Sequence, residues 1–191
     1  IDAYVSTKMS SFNNFLESCI QIKDLASKDK NTAYEFIKSQ LAITVDARIF
    51  EIVSYSILKV KYRNESIFIG KSLDNITEES LMLFKTGRTN ANDGGIDFVM
   101  KPLGRFFQVT ETTDVTKYFL DIEKVLRYPI TFVIKSEDSP EFLLKKIHAE
   151  AKARYKITAI IDRFMSSIEE IITVKSLLSI LEKFDTHQIE S

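Results

Sequence analysis

"NDGGIDFVMKPLGRFFQVTE", Asn92 to Glu111, decides how this chain is read. Two apolar stretches flank Pro102-Leu103-Gly104, the residue types of a tight turn, so the segment reads as a hairpin of "GIDFVMK" and "RFFQVTET". Strand interiors usually avoid Asp, yet Asp97 stands between Ile96 and Phe98. Side chains alternate across a strand, so Asp97 points opposite to Ile96 and Phe98. On the second strand Phe106, Gln108 and Thr110 share one face, and Phe107, Val109 and Glu111 share the other. A short turn brings Asp97 close to the Gln108–Thr110 face.

Working outward, "VTKYFLDIEKVLRY" (Val115–Tyr128) has helical spacing, and "PITFVIK" (Pro129–Lys135) is a β-branched run that suits a buried strand. The crossover from Phe106 to Lys135 is expected to be right-handed. Ser139-Pro140 starts a further helix with Pro at its first position. Upstream, "SSFNNFLESCIQIKDLA", "NTAYEFIKSQLAI" and "DARIFEIVSYSILKVKY" read as helices, the second capped by Asn31 and the third by Asp46. "SIFIG" (Ser66–Gly70) reads as a strand, and "LMLFKTG" (Leu81–Gly87) is ambiguous. The tail from Ala151 to Phe184 reads as two helices. The expected fold is therefore α/β, with an α-β-β-β-α-β mixed sheet and additional N- and C-terminal helices. One domain spans 1–191: a helical segment over 1–45, the core over 46–150 and terminal helices over 151–191.

Composition sets outer bounds. The chain has 191 residues, 45% of them hydrophobic and 28% charged, enough to bury a core without staples. The net charge of −1 gives no global attraction to nucleic acid, so DNA binding needs a local basic patch. Cys19 is the one cysteine, which fits a reducing, cytoplasmic setting. No apolar run approaches the roughly 20 residues of a membrane helix, and "IDAYVSTKMSS" lacks the apolar stretch of a signal peptide. His148 and His187 stand apart from any nucleophile, no Cys/His zinc spacing occurs, and there is no phosphate-binding glycine fingerprint.

The chemistry concentrates around Asp97. Glu51 is the single acid in the body of its helix, flanked by Phe50 and Ile52. If that helix packs on the Gln108–Thr110 face, Glu51 arrives beside Asp97. Two carboxylates so placed repel unless a cation or a proton intervenes. Mg²⁺ takes carboxylate, carbonyl and water oxygens, and Gln108 and the Val109 carbonyl add neutral ones. Taken alone, Asp97 reads equally as a turn-capping acid, and a lone helical Glu is usually solvated.

The pattern "GGIDFV…FQVT", with the upstream Glu in "RIFEIVSYSIL", resembles the PD-(D/E)XK nuclease superfamily. "KTGRTNANDGGIDFVMKPLGRFFQVTET" followed by "KYFLDIEKVLRYPITFVIK" is similar to ApaLI-like type II restriction endonucleases, over about Ala47 to Lys135. The resemblance implies Asp97 as central metal ligand, Gln108 at the position of the motif's second acid, and Glu51 as the compensating carboxylate. The implied cofactor is Mg²⁺, with Mn²⁺ able to substitute. Thr110 stands where the family usually has Lys, a departure, because Thr only hydrogen-bonds. Three readings stay open: Thr110 positions the water, Lys101 or Lys117 reaches in, or Glu111 joins through a bulge.

The resemblance implies Mg²⁺-dependent hydrolysis of double-stranded DNA at a short palindromic site, by a homodimer whose symmetry mirrors the target. A cognate methyltransferase is the implied genetic companion. Arg88, Asn90 and Asn92, in a loop before the site, and Lys101 and Arg105, beside the hairpin turn, are the candidate DNA contacts. The bland account of the first three is a polar loop with Asx-turns, and a DNA-facing loop that also orders the site is the favoured reading. Lys145, Lys146, Lys152, Arg154 and Lys156 read as a solvated helix face. The alternative function is a catalytically degenerate nuclease-fold DNA-binding module, motivated by Thr110.

Overall fold

The computed structural model describes residues 9–10, 12–21, 29–86, 96–111, 114–125 and 128–190. Helix α1 (residues 12–21) precedes α2 (Lys30–Ser39) and α3 (Ala47–Tyr62). Asp29 caps α2 by accepting from the N–H groups of Asn31 and Thr32, so Asn31 is inside the helix and not its cap. Asp46 caps α3 as its sequence predicts, by accepting from Arg48 N–H.

Strands β1 (Ser66–Ser72) and β2 (Asn75–Ser80) form a separate two-stranded antiparallel sheet. "SIFIG" is thus a strand, but it lies outside the main sheet. β2 escaped the sequence reading because "NITEES" carries one apolar residue and no alternation. The main sheet begins instead with β3 (Met82–Lys85), which resolves the ambiguous "LMLFKTG" as strand. It continues with β4 (Phe98–Lys101), β5 (Arg105–Thr110), helix α4 (Val115–Lys124) and β6 (Ile130–Ile134).

The chain then runs through α5 (Pro140–Arg154), α6 (Thr158–Met165), β7 (Ile168–Thr173), α7 (Val174–Leu181) and α8 (Thr186–Glu190). Ser139 caps α5 with Pro at its start. The tail is not purely helical. Ile168, Ile171 and Ile172 have helical spacing, but "IEEIIT" lies parallel to the fully buried β6, and pairing overrides the period.

The sheet order is β3-β4-β5-β6-β7, antiparallel through β5 and parallel beyond it. The chain is therefore mixed α/β, and its central run is α3, the separate β1–β2 hairpin, then β3-β4-β5, α4 and β6. The hairpin turn at Pro102–Gly104 is observed, with Gly104 at φ 68°, a left-handed conformation that suits glycine.

Apolar residues cover both faces of this sheet. On one, Phe98, Met100 and Phe107 pack with Phe50, Val53, Ile57 and Leu58 of α3. On the other, Ile130, Phe132 and Ile134 pack with Tyr118 and Ile122 of α4 and Leu143 of α5. The Phe132 ring is fully buried and meets Tyr118 edge-on, centroids 4.5 Å apart. Phe132→Ala is expected to cost about 3–5 kcal/mol, read as a lowered denaturation midpoint with unchanged slope. Among the described residues no helix is long and apolar enough to cross a membrane.

Candidate metal and active site

Asp97 sits in the bend just before β4. Its backbone is clamped from both sides: its N–H donates to Phe107 O (3.1 Å), and its carbonyl accepts from Thr86 N–H (3.0 Å). Its Oδ2 accepts from Val109 N–H at 2.7 Å and from Gln108 Nε2 at 2.8 Å. These two bonds are what offset an acid at the mouth of an apolar strand. Alternation puts Asp97 opposite Phe98 and on the Gln108 side, as the sequence predicts.

Gln108 is 7% exposed. Its Nε2 also reaches the Val109 carbonyl at 3.3 Å. Its Oε1 is buried and, among the described residues, accepts no hydrogen bond. Buried acceptors are rarely left so, because desolvation without a partner costs about 1–3 kcal/mol.

Burial pushes the Asp97 carboxyl up to about 6. The Val109 N–H opposes that shift, Glu51 reinforces it, Lys117 opposes it and Asp121 reinforces it. Three further charged groups therefore sense Asp97 through space. Lys117 comes from the first turns of α4, and its Nζ donates to Thr110 Oγ1 at 3.2 Å. Of the two lysines raised for the place Thr110 leaves, Lys117 lies at the site. Lys101 lies at the hairpin's far end with its ammonium 5.5 Å from the Phe84 ring centre.

Asp121, four residues beyond Lys117, is 2% exposed and pairs with Lys124 at 2.8 Å. Sequence reading passed over it. The signal was available, because residues four apart share a helix face.

Glu51 reaches Asp97's surroundings by a different route from the one expected. α3 packs on the Phe98–Phe107 face, where Tyr55 meets Phe98 at 5.1 Å and Tyr62 meets Phe107 at 6.1 Å. The Gln108–Thr110 face belongs to α4. Glu51 pairs with Lys85 at 2.8 Å, at the end of β3. It acts on Asp97 by charge at a distance, and no hydrogen bond joins the two carboxylates.

Glu111 turns away, as plain alternation predicts. It pairs with Lys135 at 2.5 Å, and the buried Lys135 also donates to Val45 O and lies 5.9 Å from the Phe50 ring centre. No bulge brings Glu111 to Asp97. Arg105 is not a free phosphate ligand. Its guanidinium bonds Thr131 Oγ1 at 2.9 Å, pairs with Glu169 at 3.0 Å and Glu170 at 2.5 Å, and is 14% exposed. Lys101 is four residues from Asp97, roughly 13 Å along an extended strand. Arg88, Asn90, Asn92 and the Gly94-Gly95 pair lie outside the described residues.

The arrangement is thus one raised carboxyl, one buried amide with a spare acceptor, one strand carbonyl and one ammonium held by a threonine. Among the described residues no group of three or more His, Cys, Asp or Glu side chains stands in a metal-holding arrangement. A cation here would rely on amide and backbone oxygens beside the carboxylates. Compared with family models, with curated proteins and with solved structures, the chain gives no match.

Proposed function

We propose that this chain is a Mg²⁺-dependent type II restriction endonuclease, cutting double-stranded DNA at a short palindromic site. The observation that carries the reading is the meeting of Asp97, Gln108 and the Val109 carbonyl beside the Lys117–Thr110 pair. The main-sheet run β3-β4-β5, α4, β6, which follows α3 after the inserted β1–β2 hairpin, supports it, because it resembles the α-β-β-β-α-β order of PD-(D/E)XK nucleases.

The donor set fits a hard cation. Gln108 Nε2 marks a point 2.8 Å from Asp97 Oδ2 and 3.3 Å from Val109 O. The two ends of an amide are nearly isosteric, and a half-turn brings the spare Oε1 to that same point. Carboxylate, amide and carbonyl oxygens then converge, the ligand types Mg²⁺ takes, and Mn²⁺ substitutes. Glu51 adds a second carboxylate on leaving Lys85; an exposed ion pair of that kind is worth about 0–1 kcal/mol. When bound, such a cation lowers the pKa of a water and polarises a phosphoryl oxygen.

The chain's own groups supply the rest. Lys117 offers positive charge where phosphoryl oxygens gain negative charge, the role a strand lysine has elsewhere. Thr110 holds that ammonium. Asp97 and Gln108 orient the reacting centre from clamped backbone. The degenerate DNA-binding module remains the second reading, favoured by Thr110 in the strand lysine's place.

Digestion of a large unmethylated phage DNA in Mg²⁺, beside EDTA and Asp97→Ala controls, separates the two. Discrete bands that vanish in both controls are expected. Retention of that DNA with no cutting in Mg²⁺ or Mn²⁺ establishes the binding module instead.

A further inference from the structure

Among the described residues, the β1–β2 hairpin pairs with no other strand and so presents an open edge. Every residue in it is exposed except Ile67, which is half-buried against the α3 side of the core. Phe68 is 73% exposed, Ile76 50% and Leu73 91%. A two-stranded sheet alone is marginal in water, and three or more strands are needed for independent stability.

The two edges differ. β2 carries Glu78 and Glu79, charges that discourage strand addition. β1 carries the uncharged apolar run Ile67, Phe68 and Ile69, and its one charge, Lys71, stands at the bulge beside the turn. The hairpin's charges, Lys71 against Asp74, Glu78 and Glu79, also repel DNA phosphates.

The ladder fixes which backbone groups of β1 face outward. Leu81 N–H donates to Glu65 O at 2.9 Å, in the same register that pairs Ser66 with Ser80. Antiparallel pairs alternate between bonded and non-bonded. Glu65, Ile67 and Ile69 therefore bond inward to β2, and Ser66, Phe68 and Gly70 present their backbone groups to solvent.

We propose that this edge pairs with β1 of a second copy, antiparallel about a two-fold axis at Phe68. Backbone parity admits that register. Phe68 then faces its own copy and Ser66 faces Gly70, all with outward groups. The intervening pairs are Ile67 with Ile69 and Glu65 with Lys71, the closely spaced kind. The register brings opposite charges together at both ends, and Lys71 is the extra residue that a bulge leaves without a β2 partner. The product is a continuous four-stranded sheet. These observations are separate from those behind the nuclease reading.

Sedimentation equilibrium of the 191-residue chain tests the pairing without reading activity. The parent chain is expected to be a dimer. Phe68→Pro removes an outward N–H that the hairpin does not use, and proline is tolerated at such an edge. It is expected to give a monomer with unchanged circular dichroism. Glu65→Lys and Lys71→Glu should each weaken the dimer and together restore it, which settles the matter if the proline variant misfolds. A monomeric parent chain, a folded Phe68→Pro dimer, or charge variants that dimerise like the parent would each overturn the proposal.

Discussion

Asp97→Asn is expected to abolish cleavage while stabilising the protein above about pH 6. Asparagine keeps an oxygen for the Val109 N–H and Gln108 Nε2 bonds, at 2.7 and 2.8 Å, so the clamp survives. What is lost is a buried negative charge. Burial raises the folded carboxyl from 3.8 to about 6, so between those values the native state binds more protons than the unfolded one. Stability contributed by this group therefore falls as pH rises through that window and is lost above it. A shift of about two units corresponds to at most about 3 kcal/mol, and about 1–3 is expected for a carboxylate that is not fully buried. Thermal melts should show a higher midpoint for the variant near neutral pH and a gap that closes towards pH 4. Cleavage should fall on the order of 10³-fold or more, since a charged ligand contributes several kcal/mol to such a site. A residue retained against its own cost to stability has the character of a functional group. A structural turn cap predicts the reverse, no gain in stability and no loss of cutting.

Lys117→Met is expected to lower the cleavage rate about 10²–10³-fold, the range for removing one charge-stabilising donor. Lys117 is exposed on α4, so the fold should change by no more than about 0.5 kcal/mol. The informative companion is Thr110→Lys in the Lys117→Met background. That double variant returns an ammonium to the strand position whose Oγ1 now accepts from Lys117 Nζ at 3.2 Å. Partial recovery of rate, with Thr110→Lys alone giving none, would mark the charge as the working element. Rates of Lys117→Met equal to the parent's would remove Lys117 from the site.

Much of this was legible because it is local. The Pro102–Gly104 turn fixes which residues of β5 Asp97 meets, and strand parity then assigns Gln108 to its side and Glu111 to the other. Alternation and turn chemistry act over a few residues, so sequence carries them. The face on which α3 packs is a tertiary matter. Its apolar positions go to Phe98 and Phe107, which leaves Glu51 at the β3 end beside Lys85. Arg105 looked free because its partners, Glu169 and Glu170, lie in the strand read as helix. Missing β7 thus also hid the ion pairs that hold a candidate DNA contact. Lys117 was legible as a lysine within reach of the site, and Asp121, four residues on, was hidden less by distance than by reading its helix only for its apolar spacing.

Calorimetric titration of Mn²⁺ into the parent chain and Asp97→Asn, near neutral pH, tests the site most directly. The account predicts saturable binding by the parent and none by the variant. No binding by the parent, or equal binding by both, would contradict it.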